Sequence, residues 1–164
     1  MSTAIRDWIV AQLNTVPGIG AVHSYQRYAD REKALADLYY HNGRLHGWFV
    51  RRVSVAEKLA FAGANDEQTL WAIRGYLAVN DVTASELEFD VLLDRIRAVF
   101  RVGMLNPLVE IAGEEVNLSY TEQKVREQIG FAVLDSQPVL FAGVLCHSAQ
   151  CQLITTRVVS IRHV

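Results

Sequence analysis

The hydrophobic positions of residues 69–101 describe a strand, a polar turn and a long amphipathic helix. Alternate positions of the strand put three apolar side chains on one face: Trp71, Ile73 and Leu77. Along the helix, apolar residues recur every three or four positions and form one stripe: Phe89, Leu92, Leu93, Ile96, Val99 and Phe100. Thr83 stands three residues before Glu86, which predicts a capping box at the helix start. We expect this helix to pack on the sheet and form the folding core.

The first half of the chain alternates between helical and strand patterns. A helical stripe covers residues 3–16, and a short strand falls within residues 19–28. Asp30 is placed to cap a second, shorter helix. Residues 44–55 alternate as a strand, and we expect this strand to pair antiparallel with the one that begins at Thr69.

Three stretches of the sequence show a weaker periodicity of hydrophobic positions. Residues 56–68 are rich in alanine and end in polar residues, which predicts a long mobile connection with a helical turn around residues 57–61. Residues 104–119 predict a loop with a short strand. Residues 120–128 are charged and give no assignment.

From residue 129 onward, the pattern predicts three strands separated by polar turns. The strand-like runs cover residues 129–134, 139–146 and 151–161. The polar segments 135–138 and 147–150 are predicted to be the turns between them.

These elements predict an α+β fold in which helices pack on one face of a mixed, mostly antiparallel sheet, as a single domain over residues 1–164. A chain of this length can bury about 70% of its unfolded surface, so its core needs no disulfide or metal. The hydrophobic fraction of 51% and the mean hydropathy of +0.11 are high for a soluble domain. This excess fits either a subunit interface or a well-filled core.

Charge and targeting signals narrow the class of protein. A net charge of −2 and a pI of about 6.2 give no basic field that would attract nucleic acid. No apolar run is long enough for a membrane span. The N-terminus leads directly into the predicted helix, so we expect no signal peptide, and two cysteines without an export signal fit a reducing cytoplasm.

The candidate catalytic and metal-binding motifs are weak. Cys146 and His147 with Cys151 resemble half a zinc site, but no short Cys-x-x-Cys pair and no fourth ligand accompany them. We expect the two cysteines to be small apolar residues at the facing ends of a hairpin, where a disulfide is also conceivable. Adjacent residues on a strand point to opposite faces, which argues against a Cys–His nucleophile pair. We therefore predict no catalytic, metal-binding or cofactor-binding residues and no enzyme.

Two other motifs have ordinary structural interpretations. Residues 17–20 (PGIG) follow a helix and lack the Lys-Ser/Thr of a phosphate loop, so they are expected to end that helix. Arg51 and Arg52 with Lys58 form a small basic group beside Trp48. Nucleic-acid binding would require more bases and exposed aromatic rings. A salt-bridged surface or a subunit contact is expected instead, and of these two we predict that the three residues contact protein.

Four blocks of the sequence resemble the tail terminator proteins of lambda-like and Mu-like phages. They are residues 5–28 (IRDWIVAQLNTVPGIGAVHSYQRY), 47–52 (GWFVRR), 71–101 (WAIRGYLAVNDVTASELEFDVLLDRIRAVFR) and 144–147 (VLCH). These are structural blocks distributed over nearly the whole chain, and none of them is a catalytic fingerprint.

The resemblance implies a virion structural protein that assembles into a ring, expected to contain six subunits. Such a ring caps the phage tail tube, ends its polymerisation and offers a joining surface to the head–tail connector. Its partners would be copies of itself, the tube protein and the connector, with DNA only passing through the opening. It would be assembled in the host cytoplasm, would need no cofactor or membrane, and could order the 56–68 segment on assembly.

Other function classes stay open from the sequence. A head–tail connector or tail completion protein of the phage neck would have the same size, and would co-purify with DNA-filled heads rather than tubes. A small enzyme with an unfamiliar site would reveal itself by turnover that depends on Cys146 or His147. A host-encoded homodimer would differ from a ring in mass.

Overall fold

Two long β-hairpins make up most of the sheet. The computed structural model describes residues 2–101, 108–118 and 131–160. In the first hairpin, β3 (Arg44–Phe61) turns back into β4 (Ala64–Ala78), and in the second, β7 (Phe131–Phe141) turns back into β8 (Val144–Ser160). The hairpins join because β4 and β8 pair antiparallel over the whole length of β4. The predicted antiparallel pairing of the strands at residues 44 and 69 is thereby confirmed.

Shorter strands extend the sheet on both sides. β1 (Ala21–His23) pairs parallel with β3, β2 (Tyr40–His41) forms a small hairpin with the start of β3, and β7 covers the first half of β8. β5 (Leu108–Ile111) and β6 (Glu114–Asn117) form a hairpin that joins the last part of β8. The strand order is therefore β1-β3-β4-β8-β6-β5.

The far end of this sheet is built of strands, and we call it the distal arm; the N-terminal helix contacts it at β5. It consists of residues 51–61 of β3, 64–70 of β4, 154–160 of β8 and the β5–β6 hairpin. The β3–β4 hairpin reaches about 30 Å along the strand direction from residue 51 to its tip, at about 3.3 Å per residue.

The helices divide between the two faces of the sheet. α1 (Ser2–Asn14) and α3 (Ser85–Phe100) bury their apolar stripes in the main core, against the face that carries Trp48, Trp71 and Ile73. α2 (Glu32–Leu38) joins a second cluster on the opposite face, with Tyr39, Phe49, Tyr76 and Cys146 at its centre. An α+β fold with a curled mixed sheet is confirmed. The expected packing of the helices on one face is not confirmed. Successive residues of a strand point to opposite faces of the sheet, and each face carries one of the two clusters.

The predicted connection over residues 56–68 is wrong, because these residues continue β3 and begin β4. The turn between them is only Ala62-Gly63, with Gly63 at φ +87°. The reason for the error is physical: residues 51–61 of β3 are exposed on both faces. A strand with no buried face shows no alternation of apolar and polar residues.

The two predicted turns in the C-terminal part are also wrong. Residues 135–138 lie inside β7 and residues 147–150 lie inside β8, while the actual turn is Ala142-Gly143, both at positive φ. Pro138 resembles a turn residue, but β7 lies at an edge of the sheet among the described residues, where a missing N–H is tolerated. Ser148 is polar and still buried at 2% exposure, since its strand runs between β4 and β7.

The predicted helix caps are not formed. Ala84, at φ +50°, is the N-cap of α3, and Thr83 donates its hydroxyl to the Asn80 carbonyl instead of closing a capping box. The N-cap of α2 is Arg31 rather than Asp30, and it makes no side-chain capping bond. The prediction for residues 120–128 lies outside the described residues.

Candidate interaction surface

The outer strand of the distal arm is exposed along its entire length. Every residue of β3 from Arg51 to Phe61 is exposed, and four of these residues are large and apolar: Val53, Val55, Leu59 (70% exposed) and Phe61 (60% exposed). Within the described residues, β1 pairs with β3 only at residues 47–49, so beyond them β3 has β4 on one side and an unpaired edge on the other. Such an exposed apolar edge is characteristic of a site for another strand.

The predicted protein-contact residues all lie on this strand, but they do not form one cluster. Arg51 is opposite Ala72 and Arg52 is opposite Trp71, so the two guanidinium groups leave the strand on different faces. Lys58 is opposite Asp66, about 20 Å further along the arm. Neither Arg51 nor Arg52 has an ion-pair partner among the residues that the structure describes. Their role in protein contact stays a prediction.

The opposite edge of the arm is acidic. The β5–β6 hairpin carries the exposed residues Glu110, Glu114 and Glu115, and it contains no basic residue. Arg157 of β8 attaches this hairpin to the sheet, because its guanidinium donates to Glu114 at 3.0 Å and to Glu67 of β4 at 2.8 Å. Hydrogen bonding to Glu67 raises the pKa of Arg157, which keeps its charge fixed in this triad.

A groove of about 280 Å³ runs along one face of the arm beside this hairpin. Its wall combines charged, neutral polar and apolar side chains: Asp66, Leu108, Glu115, Asn117, Thr156, Arg157 and Val158. The groove is open to solvent, so it does not have the enclosed shape in which small-molecule sites exclude water. Its mixed apolar and charged wall resembles the rim of a protein contact.

The two cysteines do not face each other across a hairpin, which corrects the prediction. Cys146 and Cys151 lie five residues apart on the same strand, so they point to opposite faces of the sheet. Cys146 belongs to the cluster around Tyr39 and Cys151 to the main core. Burial raises the pKa of Cys146 to about 11 and that of Cys151 to about 12. Neither a disulfide between them nor a shared metal ion fits this arrangement.

A serine–histidine pair joins the start of α3 to β8. The Ser85 hydroxyl lies 2.8 Å from Nε2 of His147, and the Asn80 N–H donates to the same oxygen at 2.8 Å. No sequence pattern predicts this pair, because the partners are 62 residues apart. Ser85 is only 1% exposed, and its two hydrogen bonds satisfy the buried hydroxyl and attach the start of α3 to β8.

Residues 17–20 follow α1 and hold two glycines at positive φ. A Cβ at Gly20 would lie 2.6 Å from the His46 carbonyl oxygen, so this glycine permits close packing of two backbone segments.

No group of three or more metal-ligating side chains occurs in the described part of the chain. None of the helices described there has the length and apolar character that crossing a membrane requires.

Comparisons with known proteins give little for this chain. No family model matches the sequence, and no curated protein matches it. One solved structure aligns with 93% of this chain and 86% of its own length, at 16% identity and a TM-score of 0.45. A similarity at that level does not indicate a function.

Proposed function

We propose that this chain is a structural subunit of a phage tail, which forms a ring that caps the tail tube as a tail terminator. The observation that carries the proposal is the outer strand of the distal arm, where eleven consecutive exposed residues include four large apolar side chains. An exposed apolar strand edge offers unpaired backbone groups to a strand of another chain. The resemblance of four sequence blocks to the tail terminator family supports the same assignment.

The proposed mechanism is binding, without catalysis or a cofactor. A ring, expected to be a hexamer, presents one face that matches the last layer of tube subunits and another that does not allow a further layer to add. The second face then receives the head–tail connector, and DNA passes through the opening. The protein acts in the virion tail after assembly in the host cytoplasm.

The test is polymerisation of the cognate tail tube protein with and without this chain. We expect added protein to shorten the tubes in electron micrographs, with ring density at one end only. Tubes that keep their length and carry no end density would refute the proposal. Binding to DNA-filled heads but not to tubes would support the alternative role of a head–tail connector.

A further inference from the structure

The sheet has two unpaired edges in its distal arm, and they lie at opposite ends of the strand order. Among the described residues, β3 beyond residue 49 has only β4 beside it, and β5 has only β6. Within the described ranges, both edges therefore have no strand partner on their outer side. Two unlike edges on one subunit are the requirement for head-to-tail pairing between copies, in which the edge of one sheet extends the next.

The two edges are complementary in charge. Residues 51–61 of β3 hold three basic residues and one carboxylate, whereas residues 108–117 of the β5–β6 hairpin hold three carboxylates and no base. Opposite charges steer the two edges together and disfavour pairing of like edges.

The sizes of the two edges also match. β3 is irregular near residues 53 and 60, which leaves a regular stretch from Ser54 to Leu59. The β5 strand, Leu108–Ile111, is four residues long and fits within that stretch. The side chains on both edges are partly apolar, since Val55 and Leu59 are exposed on β3 and Leu108 is exposed on β5.

The other open edge of the described sheet, β7, is a poorer partner. Pro138 lies in the middle of β7 and has no N–H to donate, and the pairing register shifts between Val133 and Asp135. Both features protect an edge strand from accepting a further strand. No proline interrupts residues 54–59 or 108–111.

We propose that copies of this protein join by pairing the β3 edge of the distal arm of one subunit with the β5 edge of the next, which makes a continuous sheet across the interface. The contact is heterologous, so repeated addition closes into a ring when the rotation per subunit allows it. This inference supplies the lateral contact of the proposed ring, but it concerns this protein alone and does not depend on a tail tube.

Cross-linking between two single-cysteine variants tests the pairing directly. Val55→Cys places a thiol on β3, and Glu110→Cys places one on β5, while the native Cys146 and Cys151 are fully buried and unreactive. After mixing with a short bismaleimide, we expect cross-linked dimers from Val55→Cys plus Glu110→Cys, and a ladder of multimers from the variant that carries both. Val82→Cys, at a 96% exposed position outside both edges, is the matched control and should give no dimer with Val55→Cys.

Charge exchange provides the second arm of the test. Arg51→Glu with Arg52→Glu, or Glu110→Lys with Glu115→Lys, should each weaken self-association by about tenfold or more, and mixing the two variants should restore it. Glu114 is left intact because Arg157 already pairs with it.

The outcomes separate this inference from the function proposed above. Dimers formed by Val55→Cys alone would overturn the edge pairing and leave the tail role untouched. The same conclusion would follow if the protein still assembled but showed neither the cross-link nor rescue by charge exchange. Correct cross-links with no effect on tube length would support the pairing and refute the tail role.

Discussion

Gly75 of β4 is the residue that lets Trp48 lie in the core. The two are cross-strand partners, and the indole of Trp48 occupies the space where a side chain at position 75 would stand. Trp48 is fully buried and stacks on Phe89 of α3, with ring centroids 5.9 Å apart. One absent side chain therefore fixes how the sheet contacts its long helix.

We expect Gly75→Ala to destabilise the protein by about 2 kcal/mol. The added methyl group would overlap the Trp48 ring, and this overpacking outweighs the smaller gain from a less flexible unfolded chain. Urea unfolding monitored by tryptophan fluorescence measures the change. Gly113→Ala is the control, because position 113 has open space and only its positive φ is strained. A loss below about 0.5 kcal/mol for Gly75→Ala would show that the methyl group is accommodated beside Trp48.

His46 makes stability dependent on pH. It is 4% exposed, and burial, assisted by the nearby Arg44 guanidinium and His41 against the opposing Glu88 carboxylate, lowers its pKa from 6.5 to about 4. Between these two values the unfolded chain binds a proton that the folded protein does not. Stability is therefore full above pH 6.5 and falls as the pH decreases to 4, by at most about 3 kcal/mol.

Replacing His46 by a side chain that binds no proton in this pH range isolates its contribution to the pH dependence of stability. We expect His46→Gln to have a flatter dependence of unfolding free energy on pH between 6.5 and 4, whatever its stability at neutral pH. Glu88, whose pKa the Arg44 side chain lowers, also loses stabilising charge in acid and is common to both proteins. Parallel pH profiles for His46→Gln and the unsubstituted protein would exclude His46 as the source.

At the scale of elements, the sequence predicts those whose apolar positions follow the helix or strand period. The stripe of α3 alternates between core and solvent, and the strand around Trp71 has alternating apolar positions although both of its faces are buried. Residues 56–61 and 147–150 were not predicted as strands, since the former are exposed on both faces and the latter are polar or small residues on a strand between two others. The candidate surface was predicted only through Arg51, Arg52 and Lys58, because an unpaired edge is a property of topology.

Arg157 adds an ion-paired link between the β5–β6 hairpin and the rest of the sheet. We expect Arg157→Met to weaken this attachment by about 2 kcal/mol, because it leaves the partly buried Glu67 without its charged partner and frees Glu114. Hydrogen exchange should rise selectively in residues 108–118. Arg97→Met is the control, since its pair with Asp94 is exposed and within one helix. Uniform exchange across the sheet after Arg157→Met would indicate global destabilisation instead of loss of the hairpin.

At the scale of the whole molecule, the two ends of the sheet differ in how much apolar surface they bury. The end that holds α1, α2 and α3 contains the second cluster and most of the main core, to which the β5–β6 hairpin adds Ile111 and Val116. The distal arm keeps large apolar side chains in solvent on its outer strand, which adds nothing to the stability of an isolated subunit. Changes at the outer strand should therefore separate assembly from folding.

The double substitution Leu59→Asp with Phe61→Asp tests that separation. We expect the free energy of unfolding to change by less than about 0.5 kcal/mol, because both side chains are mostly exposed in the subunit. Assembly should be lost, since two carboxylates would enter the proposed contact between copies and lie near the acidic β5–β6 hairpin. Native mass spectrometry and urea unfolding on the same samples measure the two effects. Val82→Asp, at another exposed apolar position, should assemble normally. A double variant that assembles like the unsubstituted protein would remove the distal arm from the interface.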